Sequence, residues 1–275
     1  MTAYNRQKYI GASIEAVLTS TYTHFELIIV DDASTDDTVA TVEQYLKKDS
    51  RIKLYVNEKN LGDYPNRNKA AGHALGKYIK YVDSDDIISP SGLETMVMSM
   101  EAFPAAGFGL SSLPAAEGKR YPCMLEPREA YEAHFFGPGL FHKGPGTAIF
   151  LRDAFNEVGG FKKDRMVSDV DMWHRMALHY HMVLMTETFV WTRKHRDQEL
   201  ALVNNYTLEY EKIKWQYLLH PLCPLNYSQV KIIKKQRLKK YAWFILSGVK
   251  NLNIRQVSDY IKCMQLVAGI KIYNK

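Results

Sequence analysis

Four short stretches of this chain hold the residue types that could do chemistry. Asp83-Ser84-Asp85-Asp86 follows the apolar run 78–82 directly. If extended backbone continues past that run, Asp83 and Asp85 point the same way, because strand side chains alternate with period two. Converging carboxylates repel unless a cation lies between them. Mg²⁺ or Mn²⁺ suits such oxygen ligands and also binds diphosphate oxygens. The same four residues serve as well as a solvated turn with Asp86 or Ser89 as a helix cap. Asp31-Asp32-Ala33-Ser34-Thr35-Asp36 ends a second apolar run. It reads either as a loop and cap or as an acid accepting a hydrogen bond from a nucleobase ring N–H. In Ser168-Asp169-Val170-Asp171-Met172-Trp173, Asp169 stands at a helix N-terminus, where the helix dipole favours an anion. As chemistry it would be a general base that takes a proton from a hydroxyl. Asp171 projects roughly 200° away around a helix, so only one of the two can face a site. His195, in Arg193-Lys194-His195-Arg196-Asp197-Gln198, reads on its own as structural or solvated. Arg67, in Asn66-Arg67-Asn68, could face phosphate or simply be surface charge.

These stretches need a scaffold, and its rhythm is legible. Asn5 caps a helix with Ile10, Ile14, Val17 and Leu18 on one face. Phe25 to Val30 is a buried strand, Ser34-x-x-Asp37 is a capping box with Val39, Val42 and Leu46 in the helix behind it, and Ile52 to Val56 is a second strand. A helix over Asn66 to Leu75 closes at Gly76, Tyr78 to Val82 is a third strand, and Ser89-Pro90 opens the next helix. This β-α-β-α-β alternation predicts a mostly parallel sheet with helices on both faces. Ligands bind such sheets beyond the carboxyl ends of the strands, which is where both acidic clusters lie. Residues 103–143 are irregular and rich in Gly and Pro, with one strand near 107–111. Order returns with a strand over 146–151, a short helix over 152–158, the turn Gly159-Gly160-Phe161, a helix over 168–180 and a strand over 183–191. Beyond Leu200 the chain is helical, with Ile254, Val257, Ile261 and Met264 as the apolar face of its last helix.

Composition narrows the function classes. Hydrophobic residues at 46% and charged residues at 24% describe a folded globular chain. Cys123, Cys223 and Cys263 are scattered and form no CxxC pair, which argues against structural zinc or a disulfide framework and fits a reducing compartment. The longest apolar run, 241–246, is far shorter than the roughly 20 residues a spanning helix needs. The net charge of +6 is uneven: residues 231–275 hold eleven Lys/Arg against Asp259 alone, while the other 230 residues hold 25 basic and 29 acidic residues. A near-neutral body with a basic tail is unlike a uniformly basic nucleic-acid binder, so no nucleic-acid partner is expected. Neither a Walker A loop nor a GxGxxG fingerprint is present, which removes the main signals for ATPases and dinucleotide dehydrogenases.

Taken together, these segments resemble the family 2 glycosyltransferases. Thr2-Ala3-Tyr4-Asn5-Arg6 looks like the tail of that family's opening strand motif, and 25–38 is similar to its acidic "IVDD-x-S-x-D-x-T" signature. Asn60-Leu61-Gly62, Asn68 and 76–86 match the stretch leading into its DxD motif; Gly159-Gly160-Phe161 matches its glycine turn; Asp169 and Trp173 fall in its "ED…W" helix. The resemblance covers roughly residues 1 to 200. It implies an α/β, GT-A fold: a Rossmann-like mixed, mostly parallel sheet flanked by helices, with a helical C-terminal extension. Residues 1–105 would form the nucleotide-sugar-binding half, 106–200 the acceptor-binding half and 201–275 the basic extension. The implied activity is metal-dependent inverting transfer of a hexosyl or hexosaminyl group from a nucleotide sugar, a UDP-sugar first, to an acceptor hydroxyl in bacterial surface polysaccharide assembly. In that reading Thr2, Tyr4 and Asp32 line the nucleoside pocket. Asp83 and Asp85 hold the diphosphate through Mn²⁺ or Mg²⁺, and Asp85 is the direct ligand. Arg67 and His195 contact the donor, Asp169 is the base, and Trp173 packs on the acceptor sugar. Two departures stand out: Ser168 replaces the Glu that usually precedes the base, and the family's first strand is reduced to its last residues, so either a segment upstream of Met1 or another segment filling the gap is expected to complete it.

The partners expected are a nucleotide-sugar donor and a glycan or lipid-linked acceptor; no oligomeric state is specified. The basic cluster Lys231 to Lys240 beside Tyr241-Ala242-Trp243-Phe244-Ile245-Leu246 predicts docking of 231–275 on an anionic membrane, placing the protein in the cytoplasm at the inner face of the cell membrane. The alternatives for the tail are a helix packed on the body or a dimer contact. For the activity they are a nucleotidyltransferase, which would bring a Gly- and Arg/Lys-rich loop unlike residues 2–11, and a non-catalytic nucleotide- or carbohydrate-binding module.

Overall fold

A computed structural model describes residues 1–115, 118–195, 206–250 and 254–273. The N-terminal part is the expected alternation. Strand β1 (Thr2–Ala3) leads to helix α1 (Ile10–Leu18), β2 (Leu27–Asp31), α2 (Thr38–Leu46), β3 (Ile52–Val56) and α3 (Asp63–Gly72). The three strands pair in parallel in the order β1-β2-β3. Strand alternation in β2 explains how it serves two layers. Leu27 and Ile29 pack with Ile10, Ile14, Val42 and Ile52 on one side, while Ile28 and Val30 meet Ala70 of α3 on the other. At the edge, the Met1 ammonium donates to the Ile28 carbonyl at 2.7 Å and the Met1 carbonyl accepts from Val30 N–H.

Beyond α3 the chain changes sheets. The expected third strand, β4 (Tyr78–Lys80), joins the second sheet, followed by β5 (Ile87–Ile88), α4 (Gly92–Glu101), β6 (Ala106–Leu110), β7 (Cys123–Leu125), α5 (Pro127–Phe136), a 3₁₀ turn (Pro145–Thr147), β8 (Ala148–Leu151), α6 (Arg152–Glu157), α7 (Ser168–His179), β9 (His181–Leu184) and β10 (Val190–Trp191). The second sheet has the order β4-β8-β6-β9-β7; only β6 and β9 run parallel within it. The run read as one strand over 183–191 divides: β9 belongs to this sheet, and β10 pairs antiparallel with β5. Helix α5 falls in the stretch expected to be irregular. Its start is a reciprocal capping box between Glu126 and Glu129 with Pro127 in the first turn.

Two expected caps serve loops instead. Asn5 takes a left-handed φ of 52°, and its side-chain oxygen accepts from Thr35 N–H at 2.9 Å. Ser34 donates its N–H and hydroxyl to Asp31, so no capping box forms, and α2 starts later, at Thr38. Both side chains thereby fix the loops at the carboxyl ends of β1 and β2.

The C-terminal part is helical as expected: α8 (Thr207–Leu218), α9 (Tyr227–Lys250) and α10 (Ile254–Gly269). The buried stripe of α10 is rotated from the expected one. Cys263 and Val267 are fully buried and Tyr260 stacks on Phe244 at 4.8 Å, while Ile261 is exposed. The close approach of α9 and α10 explains Gly248, where an added Cβ would lie 2.6 Å from Val257 Cγ2. Part of the tail's charge is spent on this packing: Lys234 Nζ donates to the carbonyls of Ala268 and Ile270, at 3.1 and 2.6 Å.

Candidate active site

A cleft of about 1190 Å³ opens where the strand ends, the loop 142–147, the start of α7 and the C-terminal helices meet. Thr2, Tyr4, Asp32, Arg67, Asp83, Asp85 and Asp169 all line it. Tyr4, just past β1, is 45% exposed and presents its ring to the opening. Asp31 turns away into its local loop. Asp32 faces the cleft, but its carboxylate already accepts from Asn57 Nδ2 (2.7 Å), Leu61 N–H (2.8 Å) and Gly62 N–H (2.9 Å). An ionised carboxylate offers about four lone-pair positions, so one remains for a ligand. Asp32 thus also shapes the Asn60-Leu61-Gly62 wall, a role its sequence context did not reveal.

The structure corrects the picture of Asp83 and Asp85 as partners around one cation. Strand β4 ends at Lys80, and 83–86 close a turn in which Asp86 N–H donates to the Asp83 carbonyl at 3.0 Å. The period-two alternation stops there, and the two carboxylates take different partners. Asp83 Oδ1 lies 2.7 Å from Arg67 Nη1 in an ion pair. Arg67 is buried rather than surface charge, and its Nε also donates to Asp63 at 2.8 Å. Burial disfavours the ionised form of Asp83, yet Arg67 and Lys80 outweigh it and hold the carboxyl below its ordinary range. Burial pushes the Lys80 ammonium down to about 7, against the pull of Asp83 and Asp86. Burial, with Asp83 and Asp85 nearby, raises Asp86 to about 6. Asp86 accepts from Arg193 N–H at 3.2 Å and caps no helix.

Asp85 Oδ2 meets His195 Nε2 and Arg6 Nε, each at 3.0 Å. His195 is held by stacking on Tyr9, with centroids 4.7 Å apart. The pairing draws His195 out of its lone-histidine reading; residues 196–198 of its stretch lie outside the described residues. Among the described residues no three His, Cys, Asp or Glu side chains converge on one point. A carboxylate oxygen and an imidazole nitrogen sharing one spot do fit Mn²⁺ or Mg²⁺, which usually take one or two protein ligands and fill the rest of their shell with phosphate and water. Arg6, which the sequence did not single out, already places a positive charge on that oxygen.

Across the cleft, α7 separates its two acids as helical spacing requires. Asp171 is buried away from the cleft and paired with Lys162 Nζ (2.6 Å), Arg175 Nε (2.6 Å) and the Tyr217 hydroxyl (2.7 Å). Asp169 lines the cleft, accepts from Val170 N–H at 2.7 Å, and is pushed up to about 6 by burial against the opposing pull of that bond and of Arg67. Its helix is tied to the first half by Asn68, which accepts from Phe161 N–H (2.8 Å) and donates to its carbonyl (2.7 Å). Gly160 makes room for this clasp, since a Cβ there would sit 2.7 Å from Asn68 Oδ1 at a φ of 66°. Ser168 is buried and donates to the Lys162 carbonyl at 2.7 Å, so it offers nothing to the cleft. Trp173 is also corrected: it is 0% exposed, packs parallel to Phe150 with centroids 5.6 Å apart, and donates its indole N–H to the Lys143 carbonyl. It supports the cleft loop from behind and cannot touch an acceptor. Four residues along a helix leave it about 40° from Asp169, enough to turn it into the core.

Residues 1–159 match the model of the family described as Glycosyl transferase family 2. A Haemophilus influenzae protein named as an uncharacterized glycosyltransferase is 40% identical over 99 residues, covering 36% of this chain and 31% of that protein. The Escherichia coli UDP-Glc:alpha-D-GlcNAc-diphosphoundecaprenol beta-1,3-glucosyltransferase WfgD is 42% identical over 100 residues, 36% of this chain and 39% of WfgD. The matched stretches thus span less than half the length of these curated relatives. The crystal structure of S. aureus TarS 1-349 in complex with UDP-GlcNAc superposes with a TM-score of 0.68 at 19% identity, covering 96% of this chain and 80% of that one. The fold is therefore the mixed α/β GT-A architecture of that neighbour.

Proposed function

The chain belongs to glycosyl transferase family 2, and on that premise we propose that it transfers a sugar from a nucleotide sugar, a UDP-sugar first, to an acceptor hydroxyl with inversion, in assembly of a bacterial surface glycan. The observation that carries this reading is the convergence of Tyr4, Asp32, Asp85 with His195, and Asp169 on one cleft from both halves of the fold. Tyr4 stacks on the base, and the remaining lone pair of Asp32 accepts from its ring N–H. Asp85 and His195 would hold Mn²⁺ or Mg²⁺ against the diphosphate, whose leaving-group charge such an ion offsets by several kcal/mol. Asp83 and Arg67 fix the floor of that side by pairing with each other. Asp169 takes the proton of the acceptor hydroxyl as its oxygen bonds to the anomeric carbon; the bond to the diphosphate breaks and the nucleoside diphosphate departs with the electron pair. A carboxyl titrating near 6 is a stronger base than an exposed one and is still ionised at neutral pH.

In this reading residues 1–105 hold the donor, 106–200 present the base, and 201–275 close the acceptor end and dock on the cytoplasmic face of the membrane. The docking face is the outer side of α9, where Trp243 and Leu246 are 64% and 66% exposed in line with Ile232, Lys235 and Lys239. No helix among the described residues is long and apolar enough to cross a membrane. Nucleotide release from a panel of UDP-, GDP- and dTDP-sugars, with Mn²⁺ and with chelator, tests the proposal. Release from one donor class that stops with chelator, and that Asp85→Asn abolishes, supports it. Retained ligand without release is the behaviour of a binding module.

A further inference from the structure

The acceptor end of the cleft carries a charge imbalance that the transfer reaction does not use. Glu211 of α8 is 1% exposed and accepts from Trp215 Nε1 (2.8 Å), Lys214 Nζ (3.3 Å), Arg237 Nε (3.2 Å) and the Tyr241 hydroxyl (2.6 Å). Of the acids lining the cleft, only Glu211 lies on α8 or α9, whereas Lys214, Arg237 and Lys240 all line it from those helices. Three cations thus face one carboxylate. Burial pushes Lys214 down to about 8, with Arg237 and Lys240 acting against its charge and Glu211 for it. The nearby His142 adds no anion; burial and then the same three cations hold it below its ordinary value. Lys214 is buried, Arg237 largely so and Lys240 exposed at the rim, and surplus positive charge beside a buried ammonium is costly until an anion joins it.

The register of α8 places this surplus. Thr207, Tyr210, Glu211 and Lys214 line the cleft at i, i+3, i+4 and i+7, a single helical stripe. Within this stripe Tyr210 is the residue that feels the base: its hydroxyl is raised to about 12 by burial and then by Asp169. Lys214 lies one turn further, about 6 Å along the helix axis. That is about the span of one sugar ring.

We propose that Lys214, Arg237 and Lys240 form a subsite for a phosphate group on the acceptor, borne by or next to the sugar whose hydroxyl meets Asp169. The inference rests on the sugar-transfer reading of the cleft. A phosphate matches two surplus positive charges and accepts from both the guanidinium fork and the ammonium groups. The phosphate could belong to a lipid carrier or to a phosphorylated glycan, and the chemistry recognised is the same.

Calorimetric titration of inorganic phosphate into wild type, Lys240→Gln and Lys214→Met, each with and without saturating UDP, tests the subsite. Wild type should bind phosphate in both states, and each variant should bind about tenfold or more weakly. Lys240→Gln, at the rim, keeps the test valid if Lys214→Met fails to fold. No phosphate binding, equal binding by wild type and Lys240→Gln, or displacement by UDP would overturn the subsite. If UDP fails to bind while phosphate behaves as expected, the donor reading falls and the subsite stands. Donor turnover stimulated by a soluble hexose 1-phosphate points to a phosphorylated glycan, and stimulation confined to a polyprenyl-phosphate-linked sugar in micelles points to a lipid carrier. Equal stimulation by the uncharged free sugar contradicts the proposal.

Discussion

Asp169 and Asp171 are the same residue type two positions apart, and a helix gives them opposite surroundings. Asp171 is neutralised by two cations and a hydroxyl, whereas Asp169 is half-buried at the cleft wall with its charge poorly compensated. That separation was legible, because helical geometry alone turns the two apart. The positions of Trp173 and Asp83 were not, because each depends on what packs opposite: Phe150 in one case, the buried Arg67 in the other. The electrostatics of Asp169 yield a test with a definite sign. A carboxyl raised in the folded state favours its protonated form, so its contribution to stability is fully present below its unfolded value and is lost as pH rises through about 6. Asp169→Asn should therefore melt above wild type at pH 8 and alongside it near pH 4 in thermal scans. A lower melting temperature at pH 8 would mean that the charge serves the helix instead.

Elements with strong periodicity and buried runs, such as α1, β2, β3 and α7, follow the pattern of their residues. Departures occur where tertiary partners decide. Helix α5 was hidden by the Gly and Pro around it, although its Glu126/Glu129 box and Pro127 are start signals. The stripe of α10 rotated because Tyr260, Cys263 and Val267 meet α9, a neighbour that periodicity cannot place. The basic tail read as surface charge is partly interior: Arg237 reaches across to Glu211 and so joins α9 to α8. Burial would raise Glu211, but Lys214 and Arg237 bring it down to about 2. Its stabilising contribution is thus present above the ordinary glutamate value and lost as pH falls toward 2. Glu211→Gln leaves the buried Lys214 and the partly buried Arg237 without their counterion and should cost about 3–5 kcal/mol in denaturant unfolding at pH 7. A change under about 1 kcal/mol would show that the pair contributes little to joining the helices.

At the scale of the whole molecule, the cleft exists because the chain leaves one sheet after α3, builds a second, and is clasped back by Asn68 on the Phe161 turn. The C-terminal helices α8 and α9 then line the far end of that cleft. The sequence ordered these parts along the chain, but it could not reveal that residues far beyond the recognisable motifs, Tyr210, Lys214 and Arg237, would line the same cleft. If the outer face of α9 docks on membrane, the protein should sediment with phosphatidylglycerol vesicles at low salt and release as salt rises, since basic residues contribute about 1 kcal/mol each near such a surface. Trp243→Ser combined with Leu246→Ser should weaken that binding, and failure of wild type to bind at any salt concentration would refute docking. The central claim is that Asp169 takes the acceptor proton in a cleft that holds the donor by other residues. It is tested most directly by measuring donor affinity and transfer rate together on Asp169→Asn. Donor and metal affinity should be unchanged while transfer falls about 10²–10⁴-fold; near-normal transfer by Asp169→Asn would show that another group takes the proton.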